Sequence, residues 1–354
     1  MIYRIIKLET WRESNLNGFQ LKLLSLLLLG VVIFIWLLSG CVSHENKSPD
    51  PPRESDKRTS LTTTSGSRLV KHLKGVSIIP VNPKRIAVLD YRIADSLLAL
   101  GIKPVATGSF IGSTDIPYMD GHPLKESINL GDAPNLEAIL ATEPDLIIGT
   151  DAQTIAYESL SQIAPTVIVP VAPKDWQVAL QEMGQMLDRE RQAIDWITRY
   201  SEKADEAKKQ INGRVPSNET VMFLRVLKKE FRLYGERQLT GTLLYQDLGL
   251  KAPLQVSSIE GVNKVISMEM LPEINPDYIL LDVGAIAQAD DKQGEALYND
   301  LLQSSLWKSL KAVQNNHVYR VPEWFFRTDF PISRGKSLTF VIDALINGKG
   351  TLQK

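Results

Sequence analysis

The sequence predicts an α/β protein made of two similar lobes that are joined by one long helix. Short apolar runs alternate with helical patterns over residues 85–171, and the same alternation returns over 221–345. Between the two regions lies one amphipathic helix of about 35 Å. Strands that alternate with helices favour a mainly parallel sheet in each lobe.

The first element is an N-terminal export signal. An almost unbroken apolar run at 23–38 follows several basic residues and ends in Ser39 and Gly40, directly before Cys41. A basic segment, an apolar segment and small residues at a cleavage point are typical of a secretory signal. The end of the run resembles a bacterial lipobox, so we predict a signal peptide at 1–40 and lipidation of Cys41. An uncleaved anchor helix is the alternative, although about sixteen residues are short for spanning a bilayer.

Residues 41–67 form a polar segment that is rich in Ser, Thr, Pro, Asp and Lys. Such a composition buries too little apolar surface to offset the entropy of ordering. We predict a flexible tether with a root-mean-square reach of roughly 30 Å. Because Cys41 is the only cysteine, a disulfide framework and a thiolate metal cluster are excluded.

The first lobe is predicted to extend over 68–188. Its apolar runs predict strands at 85–89, 104–107, 146–149 and 166–171. Helical patterns lie between them at 93–100, 135–142 and 156–163, and Gly101 is a typical residue after a helix end.

A connecting helix is predicted at 189–213, because its apolar residues recur at steps of three and four between charged ones. The second lobe follows at 214–354. Its predicted strands lie at 221–226, 231–234, 278–282 and 318–321, and its predicted helices at 241–248 and 334–345. Both lobes are therefore expected to be Rossmann-like, with a ligand cleft between them.

The two lobes repeat one another in detail. Glu137 stands seven residues before the pair Pro144-Asp145 and an apolar run, and Glu269 stands seven residues before Pro276-Asp277 and an apolar run. LGIK at 100–103 is mirrored by LGLK at 248–251. Two matches in the same order favour a duplicated lobe.

A set of short motifs resembles one family over about 68–348, the siderophore- and cobalamin-type substrate-binding proteins of ABC importers, in particular the iron-siderophore branch. The motifs are PKRIAVL at 83–89, LALGIKPV at 98–105, NLEAI at 135–139, EPDLII at 143–148, IAPTV at 163–167, ISME at 266–269 and INPDY at 274–278. The resemblance implies an extracytoplasmic, membrane-anchored protein that binds a ferric siderophore and delivers it to a permease. It faces a periplasm or the open cell surface.

The resemblance also implies a permease-docking role for one glutamate in each lobe, by motif position Glu137 and Glu269. Exposed carboxylates at two separated points can orient a protein on a basic partner. The alternative is that each glutamate only stabilises the first turn of a helix through the helix dipole.

A ferric siderophore already satisfies its iron, so its binding protein needs aromatic walls and, for an anionic chelate, arginines. Candidates that combine these residue types lie at predicted strand ends and loops. They are Tyr91, Arg92, Phe110, Tyr118, Arg225, Arg232, Tyr234, Arg237, Trp324, Phe325 and Arg327. The Trp324 to Arg327 cluster follows a strand and is hard to explain by core packing alone. The arginines favour an anionic chelate of the citrate or hydroxamate type.

Other functions fit less well. The near-zero net charge of -1 argues against nucleic-acid binding, and widely spaced histidines argue against a metal site. The chain has no dinucleotide fingerprint, P-loop or nucleophile elbow, so we predict no enzyme and no cofactor. A haem- or cobalamin-binding protein of the same fold is the nearest alternative, and a two-lobed α/β enzyme is a more distant one. We expect a monomer.

Overall fold

The computed structural model describes residues 63–64, 66–119, 121, 124–173, 175–227, 230–237, 239–284, 292–322, 324–325 and 329–352. All of them belong to one compact unit that begins at Ser60. The predicted signal peptide, Cys41 and the tether up to residue 62 lie outside the described residues. Within the part of the chain that is described, no helix is both long and apolar enough to cross a bilayer.

The described chain begins with a small antiparallel sheet that the sequence analysis did not predict. Its strands are β1 (Thr63–Thr64), β2 (Ser67–His72) and β3 (Gly75–Pro80), and β2 and β3 form a hairpin. Thr63, Thr64 and Ser67, at the end of the predicted tether, therefore belong to strands. The amide of Leu73 donates to the carbonyl of Ile168 at 3.0 Å, which attaches the hairpin to the first lobe.

The first lobe is a five-stranded parallel sheet with helices between its strands. The strands are β4 (Ile86–Val88), β5 (Ala106–Thr107), β6 (Ile128–Asn129), β7 (Leu146–Thr150) and β8 (Thr166–Val169), in the order β6-β5-β4-β7-β8. The helices are α1 (Tyr91–Ala99), α2 (Leu136–Ala141), α3 (Tyr157–Ile163) and α4 (Trp176–Leu187).

Local sequence explains where these elements lie. Strands β4 and β7 are buried along their whole length, which accounts for their continuous apolar runs. Three helices start at a side chain that accepts hydrogen bonds from the first-turn amides, namely Asp90, Asn135 and Asp175. Gly101 follows α1 with a φ of +74°, a conformation that strains residues with a side chain.

The connecting helix α5 extends over Glu190–Asn212. Its buried side chains recur at helical spacing, so one face packs on the protein while the rest is polar. They are Ala193, Tyr200, Ala204, Ala207 and Ile211.

The second lobe has a five-stranded mixed sheet. Its strands are β9 (Val221–Leu227), β10 (Glu230–Tyr234), β11 (Asn263–Ile266), β12 (Tyr278–Val283) and β13 (Val318–Arg320), in the order β11-β10-β9-β12-β13. The strands β9, β12 and β13 are parallel, whereas β10 pairs antiparallel with β9 and β11. Only two residues separate β9 from β10, and a parallel crossover needs a much longer connection.

The helices of the second lobe are mostly short. They are α6 (Leu254–Ser257), α7 (Leu271–Ile274), α8 (Lys292–Gln303), α9 (Ser305–Lys308) and α10 (Lys311–Gln314), together with a π-helical segment at Thr242–Asp247.

The repeated Pro-Asp pairs have the same structural role in both lobes. The Asp145 carboxylate accepts hydrogen bonds from the amides of Lys84 and Arg85, just before β4, at 2.6 and 2.9 Å. The Asp277 carboxylate accepts from the Thr220 amide, just before β9, at 2.8 Å. In each lobe, the strand that follows the aspartate pairs parallel with the strand whose first amides the aspartate binds. The repeat in the sequence is therefore also a repeat in the structure.

The last helix, α11 (Pro331–Asn347), packs against α5 and α1 and so returns to the first lobe. The carboxylate of Asp95, on α1, accepts hydrogen bonds from the amides of Ile332 and Ser333 at 2.7 and 2.9 Å. This helix lies within the range 214–354 predicted for the second lobe, yet much of its packing is with helices outside that range. The chain therefore links the two sheets through α11 as well as through α5.

Candidate ligand-binding site

Predicted site residues from both lobes meet in one continuous cluster of buried apolar side chains. Tyr91, Phe110 and Tyr118 enter this cluster from the first lobe, and Tyr234 and Phe325 enter it from the second. Tyr91 and Phe110 follow the carboxyl ends of β4 and β5, which lie at one edge of the parallel sheet. Ligands of open α/β sheets bind at this edge.

In the first lobe, Arg92 is held by a carboxylate beside the ring of Tyr91. Its Nε and Nη2 atoms donate to Asp90 at 2.8 and 2.5 Å, and its guanidinium lies 5.9 Å from the centre of the Tyr91 ring. Tyr91 and Phe110 pack edge to face at 5.2 Å. Burial lowers the pKa of Arg92, but the hydrogen bonds and the charge of Asp90 outweigh burial and raise it overall.

In the second lobe, Arg225 is almost fully buried and lies between an acid and a phenol. Asp282 on β12 stands directly opposite Arg225 on β9, so both side chains lie on the same face of the sheet and form an ion pair. The Nη1 atom of Arg225 donates to the hydroxyl of Tyr234 at 3.0 Å. Both members of the pair are about 1% exposed, so the pair belongs to the interior in this conformation.

One aromatic contact directly joins the two lobes at the predicted site. The rings of Tyr118 and Trp324 lie 5.8 Å apart at 50°. Tyr118 is buried in a 3-10 turn of the first lobe, and Trp324 is partly buried after β13 in the second. Aromatic pairs at this separation attract each other, so this contact favours the approach of the lobes.

Phe325 lies deeper than a side chain that only lines a ligand surface. It is fully buried and packs against Phe223 and Phe340, with ring centres at 5.7 and 5.5 Å. Core packing therefore accounts for this member of the aromatic cluster. The prediction that it contacts a ligand stays untested.

The remaining predicted arginines differ in their surroundings. Arg232 is half-buried and donates from Nε to Glu230 at 2.5 Å. Arg237 is exposed in the turn after β10. Arg327 lies outside the described residues. Because Arg92, Arg225 and Arg232 all have carboxylate partners, the number of arginines alone does not give the charge of the site.

Asp329, which was not predicted as a site residue, interacts electrostatically with Arg92 of α1 and Arg334 of α11. Its carboxylate accepts a hydrogen bond from the backbone of Leu239. Burial raises the pKa of Asp329 to about 6, against the opposing effect of the positive charges of Arg334 and Arg92. No periodic pattern marks this residue, because it stands in a loop just before α11.

The two predicted docking glutamates occupy similar positions. Glu137 is exposed in the first turn of α2, after the cap Asn135, whose side chain accepts from the Ala138 amide at 2.7 Å. Glu269 is exposed in the 3-10 turn Met268–Met270, and a hydrogen bond from Ser267 lowers its pKa. Both positions also fit a helix-dipole role, so the structure leaves the two interpretations open.

Among the described residues, no group of three or more His, Cys, Asp and Glu side chains could hold a metal ion. His72 bonds to Ser77 at 2.9 Å, and His317 stacks on Tyr278 at 4.3 Å.

A family model for periplasmic binding proteins matches residues 86–324, more than half of the chain. The chain belongs to this family. The family resemblance predicted from the motifs is thereby confirmed. One relative, from Bacillus subtilis (strain 168), is named as the putative ABC transporter substrate-binding lipoprotein YhfQ, and it is 28% identical over 269 residues, 71% of this chain and 80% of YhfQ.

Individual members of the periplasmic binding protein family are similar over most of the chain. The probable siderophore-binding lipoprotein YfiY of Bacillus subtilis (strain 168) is 32% identical over 304 residues, which is 83% of this chain and 89% of YfiY. The iron(3+)-hydroxamate-binding protein YxeB of the same organism is 30% identical over 329 residues, 91% of this chain and 97% of YxeB.

Solved structures agree with the predicted two-lobed α/β fold. Staphylococcus aureus SirA complexed with staphyloferrin B superposes with a TM-score of 0.67 at 26% identity, covering 79% of this chain and 97% of SirA. Bacillus subtilis FeuA complexed with ferri-bacillibactin superposes with a TM-score of 0.65 at 26% identity, covering 80% of this chain and 99% of FeuA. The predicted fold class is confirmed.

Proposed function

We propose that this chain is the extracytoplasmic, lipid-anchored binding protein of an ABC importer, which captures a ferric siderophore and hands it to the permease. One observation carries the proposal. The structure gathers aromatic rings and a carboxylate-held arginine from two lobes, in a chain that aligns over most of its length with siderophore-binding relatives. Because the function is binding and delivery, no catalytic group and no cofactor are required.

The chemistry of a ferric chelate suits such a site. The chelate supplies all of the iron ligands, so the protein has to recognise only the outside of the complex. A flat aromatic face such as that of the partly buried Trp324 can pack against the chelate. Asp90 holds Arg92 in one orientation, and an oriented guanidinium can donate to carboxylate or hydroxamate oxygens. Relatives named for iron hydroxamate and for Fe(3+)-citrate are both similar to this chain.

Delivery requires a membrane partner. The proposal assigns Cys41 to the lipid anchor, and Glu137 and Glu269 to contacts with basic residues of the permease. One carboxylate on each lobe would orient the monomeric binding protein on the permease, because two separated contacts define an orientation. The chain would then act at the outer face of the cytoplasmic membrane.

The test is a titration of the mature chain, residues 41–354, with ferric and iron-free siderophores, followed by quenching of tryptophan fluorescence. The panel contains hydroxamate, citrate-type and catecholate chelates, together with haem and cobalamin. We expect saturable binding of a ferric chelate. We also expect Arg92→Gln to weaken it by about tenfold or more, the loss of one charge-assisted hydrogen bond.

The matched control is Arg214→Gln, which removes an exposed arginine just after the connecting helix. It should leave the affinity unchanged. Binding of haem or cobalamin alone would overturn the proposed ligand and keep the fold. Equal affinities of the wild-type protein and Arg92→Gln would remove Arg92 from the site.

A further inference from the structure

The N-terminal hairpin exposes a row of apolar side chains that the binding function does not use. Leu69, Leu73, Val76 and Ile78 are between 40% and 64% exposed, and we call them the apolar hairpin face. Leu69 and Ile78 are cross-strand partners, and Val76 is the partner of Lys71. Side chains directly opposite one another on paired strands point to the same side, so these residues form one outward surface together with Leu73 in the turn.

The inward surface of the same hairpin packs on the first lobe and forms hydrogen bonds with it. Val70 and Ile79 are buried, and the Ser77 hydroxyl donates to the Thr166 carbonyl at 2.8 Å. Arg68 donates to the Gln185 carbonyl at 2.6 Å. The hairpin is therefore held in one orientation. A sheet surface that faces only water usually carries polar residues, so the apolar outward surface indicates a partner.

The charged residues of the hairpin indicate what kind of partner binds there. Between Gly66 and Pro80 the chain carries Lys71 and Lys74 in addition to the inward Arg68, and it carries no carboxylate. Lys71 lies in the outward row, and Lys74 lies at the tip of the hairpin. Apolar side chains flanked by lysines suit the interface of an anionic lipid bilayer, where the chains enter the headgroup region and the ammonium groups meet lipid phosphates.

The position of the hairpin in the chain favours the same partner. Among the described residues, the sheet that contains the hairpin is the first element after Cys41, the residue proposed to carry the lipid, and the 21 residues at 42–62, which belong to the predicted tether, would span about 25 Å as a random coil. A tethered surface experiences an effective concentration in the millimolar range, so weak intrinsic affinity is enough for persistent contact.

The order of strands in the sheet separates the hairpin from the proposed permease contact at Glu137. The hairpin tip bonds to Ile168 near the carboxyl end of β8, and Glu137 follows the carboxyl end of β6. The hairpin lies along β8, because its Ser77 hydroxyl also donates to the carbonyl of Thr166 at the start of that strand. The outer strands β6 and β8 are four spacings apart, or roughly 19 Å.

We propose that the apolar hairpin face is a membrane-contact surface, which rests on anionic lipid next to the permease and orients the site towards it. The orientation relative to the permease rests on the function proposed above, whereas the lipid contact itself does not. The surface thus adds a third point of contact to the lipid anchor and the docking glutamates.

The experiment uses the lipidated mature chain on vesicles. Because Cys41 is the only cysteine and is blocked by the lipid, Val76→Cys can carry a single environment-sensitive fluorophore. The control is Val265→Cys on β11, an exposed β-branched strand residue of the second lobe. On phosphatidylcholine vesicles with about 30% phosphatidylglycerol, we expect the label at 76 to shift to shorter wavelength and its quenching by iodide to fall by at least about half.

Further variants separate the contributions. Leu69→Ser with Ile78→Ser should abolish the protection from iodide, and Lys71→Gln with Lys74→Gln should reduce it on anionic vesicles only. A label at 76 that is quenched as strongly as the label at 265 overturns the proposal. Protection that needs the permease, or that appears without vesicles and rises with protein concentration, also overturns it and assigns the surface to the permease or to a second copy.

A second anchor separates this proposal from the lipidation proposal. The Cys41→Ser chain with an N-terminal hexahistidine, bound to nickel-chelating lipid, connects the hairpin to the bilayer through the same residues 42–62. Protection of the label at 76 on this anchor supports the surface even if Cys41 proves not to be acylated. Loss of protection on both anchors contradicts it.

Discussion

Replacing Arg225 by methionine tests whether this side chain supports the sheet, contacts the ligand, or does both. The variant removes the guanidinium that binds Asp282 and the donor to the Tyr234 hydroxyl. Both members of the ion pair are almost fully buried. Removing one partner of a buried pair typically costs about 3–5 kcal/mol, because the other charge loses its compensation. We expect Arg225→Met to lower the free energy of unfolding by this amount.

A double variant separates stability from binding. Asp282→Leu together with Arg225→Met replaces the pair by apolar side chains, a change that is often neutral or stabilising. We expect its free energy of unfolding to return to within about 1 kcal/mol of the wild-type value, so the two single effects are strongly non-additive. Urea denaturation, followed by circular dichroism, measures the free energy of unfolding of the wild type, the two single variants Arg225→Met and Asp282→Leu, and the double variant.

The binding titration of the double variant then decides the role of Arg225. If the chelate displaces Asp282 and binds the Arg225 guanidinium in its place, the double variant binds the chelate at least about tenfold more weakly than the wild type, although its stability is restored. If Arg225 only supports the sheet, affinity returns with stability. An Arg225→Met protein as stable as the wild type, or a double variant with the sum of both losses, would refute the reasoning.

Two further predictions concern pH and docking. Burial raises the pKa of Asp95 to about 7, so the stability that its proton contributes is complete below the unfolded pKa and is lost as the pH rises through 7. From pH 5 to pH 7 we expect a loss of about 2 kcal/mol from this group, and Asp95→Asn should remove that slope in urea denaturation; an unchanged slope would contradict the assignment. Charge reversal of Glu137 or Glu269 to arginine should reduce cellular uptake of the labelled ferric chelate without changing its affinity in solution. Reversal of Glu190, another exposed glutamate in the first turn of a helix, should affect neither, and equal loss in all three would favour the helix-dipole interpretation.

Some elements could be read from the sequence although we did not predict them. The helix α4 has Trp176, Leu180, Met183 and Leu187 on its buried side at steps of three and four. The hairpin was harder to predict, because its polar and apolar residues face the opposite way from those of a usual half-buried strand. Its inward surface includes Arg68 and Ser77 while leucine and isoleucine point outward, so its polarity does not indicate a half-buried strand.

The duplicated lobes, the alternation of strands and helices, the connecting helix and the family followed from the sequence alone, because apolar periodicity and short motifs are local properties of the chain. The partners of the arginines were decided only by the tertiary structure. Asp282 meets Arg225 because parallel strands 57 residues apart pair in one register, and Asp95 meets α11 because that helix folds back over the first lobe. Registers and long-range packing depend on the whole sheet and core, so no segment of sequence contains them.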